Sequence, residues 1–281
     1  MAAEISGSHP VSYVSQLGSV AWQSVTRLVR SPSHSRRAEA RRALARRWLG
    51  LGVLTALAIG ILMVVIDVAT IKLMPPRGTA SLWPLRILTE FGKSTYVLWT
   101  LAGGLLVILL IMPRLNSISR QVLIAFGVRV QYLFFSVLFA VLMGEVLKYV
   151  IGRSRPFVGG DANAFYFQHF AGSTAFESLP SGHATTAFAL AFAVASVWRK
   201  AALVMFVYAV LICVSRVILL AHHPSDVVGG ALTGIVGAMF VRYWFAARRL
   251  GFKIGRDGTI EPLAGPSWPA LKRVARDAFA P

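Results

Sequence analysis

The chain has 281 residues, of which 56% are hydrophobic and 14% are charged, and its mean hydropathy is +0.64. This composition argues against a soluble globular domain, because several segments are apolar and long enough to cross a bilayer. The net charge is +18, and eight arginines fall between Arg27 and Arg47, just before the first apolar segment. Such clustering is typical of cytoplasmic segments beside anionic lipid headgroups, and no recognised nucleic-acid motif accompanies it, so we predict no nucleic-acid partner.

The apolar segments predict an all-α fold, a polytopic membrane bundle of six transmembrane helices. The predicted spans cover about 49–71, 95–112, 122–147, 184–198, 201–220 and 227–247. The domain boundaries that follow are a basic N-terminal arm at 1–47, a six-span domain at 48–248 and a tail at 249–281. A weak helical stripe in the arm indicates either a helix on the membrane surface or disorder. The single cysteine, Cys213, excludes an intrachain disulfide.

The distribution of positive charge predicts the orientation of the spans. Six spans place both termini on one side, and the arginine-rich arm and the turns at 114–120 and 199–200 make that side cytoplasmic. The cations Lys148, Arg153, Arg155 and Arg216 go against this rule, because they fall on the opposite, extracytoplasmic side. They lie in or next to three polar stretches that all emerge on that side, which predicts one site there.

The first polar stretch carries Lys148 and, six intervening residues later, Arg155 and Pro156. The ammonium group is a point charge and the guanidinium group a planar fork, and both suit phosphate oxygens. Basic residues that anchor a helix at the membrane interface are the alternative interpretation.

The second stretch is Pro180, Ser181, Gly182 and His183, at the start of the fourth span. The free backbone N–H groups at a helix start can bind an anion, and glycine allows a close approach. The Ser181 hydroxyl can also donate, and His183 can give a proton to a leaving oxygen. A serine cap beside an interfacial histidine is the alternative.

The third stretch runs from Ser215 and Arg216 to His222 and Asp226. A neutral imidazole can act as a nucleophile or a base. Asp226 follows His222 by four residues, so we predict that its carboxylate holds one ring nitrogen and directs the other outward. His223 is adjacent, but the spacing to the aspartate favours His222. A polar turn between two membrane helices, with a capping aspartate, is the alternative.

Together these residues predict an anion pocket suited to phosphoryl transfer without a metal or cofactor. A two-metal site would need clustered carboxylates, whereas the acidic residues on this side are scattered along the sequence.

The patterns K-x6-RP, PSGH and SR-x5-H-x3-D, in this order, resemble the three signature motifs of the type 2 phosphatidic acid phosphatase superfamily, which includes membrane lipid phosphatases and vanadium haloperoxidases. The resemblance covers about residues 148–226, and the six-span layout extends it to about 49–247. It implies that His222 attacks phosphorus to form a phosphohistidine, that Asp226 orients it and that His183 protonates the leaving group. It implies phosphate-binding roles for the remaining motif residues, Lys148, Arg155, Ser181, Gly182 and Arg216.

We therefore expect a multi-pass inner-membrane phosphatase that hydrolyses a phosphorylated lipid on the extracytoplasmic face. Undecaprenyl diphosphate, phosphatidic acid, phosphatidylglycerol phosphate and lipid A phosphates are the candidate substrates, and membrane lipids surround the protein. A phosphotransferase that passes the group to another lipid or a sugar is an alternative, as is a non-catalytic phospholipid binder or transporter. The sequence does not predict the oligomeric state.

Overall fold

The computed structural model describes residues 12–279, which contain ten α-helices, four short 3-10 helices, one short β-hairpin and the loops between them. The helices are α1 (Tyr13–Val29), α2 (Arg37–Val65), α3 (Asp67–Leu73), α4 (Trp83–Glu90), α5 (Ser94–Ile111), α6 (Ser117–Ile151), α7 (Gly182–Val197), α8 (Ala202–Ile218), α9 (Pro224–Ala247) and α10 (Trp268–Phe279). In the hairpin, β1 (Phe252–Ile254) pairs antiparallel with β2 (Ile260–Pro262). The predicted all-α class is confirmed.

Six helices correspond to the predicted spans. Among residues 12–279, five helical segments are long and apolar enough to cross a membrane, and they contain α2, α5, α6, α8 and α9. The sixth, α7, is apolar but has 16 residues. The arginine-rich segment is itself helical, because α2 begins at Arg37, so the predicted boundary at 47/48 falls inside a helix.

The helix ends that carry the polar stretches meet at one end of the bundle. Asp67, which follows α2, accepts a hydrogen bond from the backbone N–H of Ser225 in the first turn of α9 at 3.0 Å. The Ser181 N–H, just before α7, donates to the carbonyl oxygen of Asp226 at 3.0 Å. Arg216, in the last turn of α8, donates to the hydroxyl of Thr89 in α4 at 3.0 Å. The predicted convergence of distant helix ends is therefore present.

Glycines on α9 bring it against α7 at this end. A Cβ atom on Gly230 would lie 2.5 Å from the Ser181 carbonyl oxygen, and one on Gly234 would lie 2.4 Å from the Thr185 carbonyl oxygen. No side chain fits at such distances, so the two glycines permit the close helix contact that their spacing predicts. This contact fixes the start of α9 relative to the start of α7.

The described parts of both terminal regions contain a helix that packs on the bundle. In α1, Tyr13 donates a hydrogen bond from its hydroxyl to the Leu110 carbonyl oxygen at 2.5 Å. In α10, Asp277 accepts hydrogen bonds from Asn116 and Ser119 at the start of α6. The helical interpretation of the arm therefore holds for α1, whereas residues 1–11 of the arm and 280–281 of the tail lie outside the described residues. The sequence analysis assigned no structure to the tail.

Candidate active site

A cavity of about 210 Å³ opens at the end of the bundle where the polar stretches meet. Six of the eight predicted site residues line it: Lys148, Arg155, Gly182, His183, Arg216 and His222. The other two, Ser181 and Asp226, are fully buried and lie outside the set of lining residues. The three stretches thus contribute cations, a helix start and two imidazoles to one small space.

The first stretch reaches the cavity from the end of α6. Lys148 lies in the last turn, where its ammonium group pairs with Glu145 at 2.6 Å. Gly152 ends the helix in the left-handed conformation, with φ at +60°, and a Cβ there would lie 1.9 Å from the Gln168 carbonyl oxygen. The reversal that only glycine permits here directs the chain toward Arg155, whose Nε donates to the Thr174 carbonyl oxygen at 2.8 Å.

The second stretch supplies free backbone donors. The first intrahelical donor of α7 is the Thr185 N–H, which bonds the Ser181 carbonyl oxygen at 2.9 Å, so the N–H groups of Gly182 and His183 precede the hydrogen-bond ladder. A Cβ on Gly182 would lie 3.2 Å from the Lys148 Nζ, so glycine lets that ammonium group approach the helix start.

Two side chains of this stretch have polar atoms without partners. Within residues 12–279, neither the Ser181 hydroxyl nor the His183 Nε2 has a hydrogen-bond partner, although both atoms are buried. The Ser181 backbone N–H, in contrast, is occupied by the Asp226 carbonyl oxygen. The backbone donors predicted at this helix start are therefore the N–H groups of Gly182 and His183. The Ser181 hydroxyl, one residue earlier, stays a predicted donor.

His222 presents one ring nitrogen to the cavity. Its Nδ1 lies 2.9 Å from the carbonyl oxygen of Ser178. A carbonyl oxygen can only accept, so Nδ1 carries the proton, and in the neutral ring Nε2 keeps its lone pair. The ring is 2% exposed. This tautomer is the one that a nucleophilic histidine needs.

The predicted hydrogen bond between Asp226 and His222 is wrong. The nearest oxygen of Asp226 lies 3.9 Å from the His222 Nδ1, whereas it accepts from the backbone N–H of His223 at 2.7 Å and lies 3.2 Å from that residue's Nδ1. The reason is local, because Asp226 is the third residue of α9 and completes a capping box with His223. His223 thus belongs to the cap, and His222 is the histidine that lines the cavity.

Behind the cavity lies a buried ionic network that the sequence analysis did not find. Arg153 donates to Asp226 at 2.6 Å and to Asp67 at 2.8 Å, and all three side chains are fully buried. Ser225 joins it by hydrogen bonds to Asp67, and Ser178 donates to Asp226 at 2.6 Å. Asp67 stands at the end of an apolar segment, and a carboxylate in such a place is a sequence signal for a buried partner.

The carboxylates of Asp67 and Asp226 are committed to these contacts. Within residues 12–279, no three His, Cys, Asp or Glu side chains lie close enough together to hold a metal ion. Metal independence nevertheless stays a prediction, and an experiment for it is given below.

Comparison with known proteins finds a match to a family model in the same region of the chain. Residues 129–250, which include all three stretches, match the model of the PAP2 superfamily. The chain is 38% identical over 147 residues to a lipid A 1-phosphatase of Rhizobium johnstonii, covering 52% of this chain and 57% of the relative. It is 36% identical over 150 residues to a lipid A 1-phosphatase of Rhizobium etli, covering 53% and 61%. The chain thus spans less than two thirds of either relative. No solved structure is significantly similar.

Proposed function

We propose that this chain is a member of the PAP2 superfamily, whose model matches residues 129–250, and that it is a membrane lipid phosphatase acting on a phosphorylated lipid of the lipid A type. The observation that carries the proposal is the single cavity shared by Lys148, Arg155, His183, Arg216 and His222. The similarity to two lipid A 1-phosphatases favours lipid A over the other candidate lipids.

The proposed reaction has two displacement steps. In the first, the His222 Nε2 attacks phosphorus, the bond from phosphorus to the lipid oxygen breaks, and His183 gives its proton to that oxygen. In the second, His183 takes a proton from water, whose oxygen attacks the phosphohistidine and releases inorganic phosphate and His222. The cations and the Gly182 N–H bind the phosphoryl oxygens as their charge develops.

The surroundings of His222 fit this role. The Ser178 carbonyl oxygen fixes the ring, and the Asp226 carboxylate at 3.9 Å stabilises the positive charge that the imidazole gains on attack. We therefore assign Asp226 a charge-balancing role that acts across this distance, while its direct hydrogen bonds hold the start of α9.

We further propose that the protein is a multi-pass protein of the inner membrane, with the cavity on the extracytoplasmic face and both ends of the chain in the cytoplasm. The support is the distribution of charge. The basic segment before Arg47 lies at the end of α2 that is distant from Asp67, and therefore at the end of the bundle opposite the cavity.

Purified protein in detergent micelles or nanodiscs is expected to release phosphate from lipid A faster than from undecaprenyl diphosphate, phosphatidic acid or phosphatidylglycerol phosphate. Release is expected to be unchanged in excess EDTA, because cations of the chain take the place of a metal. Inactivation by EDTA that magnesium reverses would contradict the metal-free reaction.

The products of the same assay distinguish the alternative functions. Formation of a phosphorylated acceptor lipid or sugar instead of free phosphate would indicate a transferase. Binding of lipid A without any turnover would indicate a non-catalytic protein.

The pH dependence of kcat/KM tests the protonation state of His222. Burial is the main cause that lowers the pKa of His222 well below its ordinary value of 6.5, and the Asp226 charge offsets this in part. A lowered pKa keeps the imidazole neutral above pH 6.5, and the nucleophile is lost only as the pH falls through the lowered value. The acid limb of kcat/KM is therefore expected below pH 6.5, after the substrate's own ionisation is measured by ³¹P NMR. An acid limb of kcat/KM above pH 6.5 that does not come from ionisation of the substrate would contradict a neutral His222 nucleophile.

A further inference from the structure

The turn between α4 and α5 closes one side of the cavity, although it lies outside the three motifs and outside the family match. Thr89 accepts the hydrogen bond from Arg216 at 3.0 Å. Gly92 lies so close to the site that a Cβ on it would be 2.6 Å from the Ile212 side chain and 3.3 Å from the His183 ring. The last residues of α4 and the turn that follows them therefore lie next to two of the predicted site residues, Arg216 and His183.

Lys93 adds a further cation to the cavity. Lys93, Ser94 and Thr95 are among the lining residues, and the Lys93 ammonium group is held by Glu90 at 2.6 Å. Both side chains of this pair are about two fifths exposed, at 43% and 40%, so the ammonium group can reach a bound headgroup.

An apolar groove begins at the same turn. It has a volume of about 670 Å³, and its lining includes Glu90, the partner of Lys93. Six of its apolar residues come from the α4–α5 turn, α5, α7 and α8: Phe91, Val97, Leu101, Leu190, Met205 and Tyr208. At the start of α5, residues 93–95 line the cavity, and the next two residues, Tyr96 and Val97, line the groove. The cavity and the groove are therefore lined by consecutive residues of one chain segment.

The groove lies deeper in the bundle than the cavity. Along α7, Leu190 is seven residues beyond His183, which is about 10 Å at 1.5 Å per residue. Along α8, Tyr208 is eight residues before Arg216, which is about 12 Å. Both helices therefore place the groove where the acyl chains of a lipid lie when its phosphate occupies the cavity.

We propose that the α4–α5 turn and this groove bind the part of the lipid that is not hydrolysed, with Lys93 on the headgroup and one acyl chain in the groove. This inference rests on the proposed function. It makes the substrate an acylated lipid phosphate rather than a soluble phosphate ester, because only an acylated substrate uses the apolar surface.

Filling the groove tests this assignment. Thr100 is exposed and lines the groove, and Val107 is an exposed residue of α5 outside the groove lining, so Thr100→Trp and Val107→Trp are a matched pair. The two substrates are hexa-acylated lipid A and the same glucosamine disaccharide bisphosphate without acyl chains. Thr100→Trp is expected to lower kcat/KM at least tenfold for lipid A and less than twofold for the deacylated compound, whereas Val107→Trp changes neither. Equal effects of Thr100→Trp on both substrates, or no effect on lipid A, would overturn the groove assignment.

Lys93 is tested on the same two substrates. Lys93→Gln is expected to raise KM about tenfold for both compounds with kcat retained, because they share the headgroup, and Lys93→Arg is expected to restore most of the affinity. An unchanged KM in Lys93→Gln would remove Lys93 from the recognition site.

A binding measurement separates this inference from the proposed function. Lipid A with a photoreactive acyl chain is expected to label residues 96–101 or 205–208 of the unaltered protein, and Thr100→Trp to suppress that labelling. Labelling confined to other helices would overturn the groove assignment even if phosphate is released. Labelling of the groove without phosphate release would support the groove and contradict the phosphatase.

Discussion

The substitution His222→Ala is expected to reduce phosphate release at least about 1,000-fold, because it removes the nucleophile of the proposed phosphoenzyme. His183→Ala is expected to lower the rate by about 100- to 10,000-fold, the usual contribution of a general acid. Both rings line the cavity, and His222 is the one whose tautomer is set by a carbonyl oxygen. Initial rates of phosphate release from lipid A by the purified variants measure both effects.

The matched control is His169→Ala. His169 is an exposed histidine of the loop between α6 and α7, it lies outside the cavity lining, and its Nδ1 contacts the Val150 carbonyl oxygen at 3.1 Å. This variant is expected to retain its activity. Quenching of the reaction with ³²P-labelled lipid A in alkaline SDS, in which the P–N bond of a phosphohistidine survives, is expected to trap labelled protein in the unaltered enzyme and none in His222→Ala. A His222→Ala protein with near-normal turnover, or with normal labelling, would rule out the phosphohistidine.

The layout of the helices could be predicted because it depends on patterns local to the sequence. Long apolar segments identify the spans, and the number of spans fixes which helix ends lie on the same side of the membrane. The ends predicted to share one side carry Lys148, Arg155, His183, Arg216 and His222, and these residues line one cavity. The start of α9 at Pro224 likewise follows from the fixed φ of proline at a first helical position.

The contacts of individual side chains could not be predicted in the same way. The partner of the His222 Nδ1 is a backbone oxygen of Ser178, 44 residues earlier, which no side-chain pattern records. The spacing between His222 and Asp226 suggested a hydrogen bond, but the capping geometry of α9 turned the carboxylate toward His223. α10 was missed because it is short and amphipathic, and its docking on α6 depends on tertiary contacts.

The buried network behind the site is the second feature that is expected to have a large effect. Arg153 bridges Asp67 and Asp226, which are 159 residues apart in sequence, and its Nε and one terminal nitrogen also donate to the Ala164 carbonyl oxygen. The guanidinium group thus joins α3, α9 and the loop between α6 and α7. Because α9 begins two residues after His222 and the loop supplies the Ser178 carbonyl oxygen that bonds its ring, the network helps to fix the position of the nucleophile.

Arg153→Met is expected to lower the free energy of unfolding by about 3–5 kcal/mol, because it leaves two buried carboxylates without their cation. Thermal unfolding in detergent, followed by near-UV circular dichroism, measures the loss of stability. Phosphate release at a temperature where the variant is folded is expected to fall as well. The acid limb of kcat/KM is expected to change, because Arg153 contacts Asp226, whose charge contributes to the pKa of His222.

Two further variants separate the network from the general effect of losing a charge. Lys253→Met breaks an exposed pair with Glu261 at 3.0 Å and is expected to cost less than about 1 kcal/mol. Asp67→Asn combined with Arg153→Met removes one of the stranded carboxylates, so the double variant is expected to be more stable than the sum of the single effects predicts. If Arg153→Met were as stable and as active as Lys253→Met, the network would have no part in holding the site. Additive effects in the double variant would show that Arg153 and Asp67 act independently, contrary to the direct contact between them.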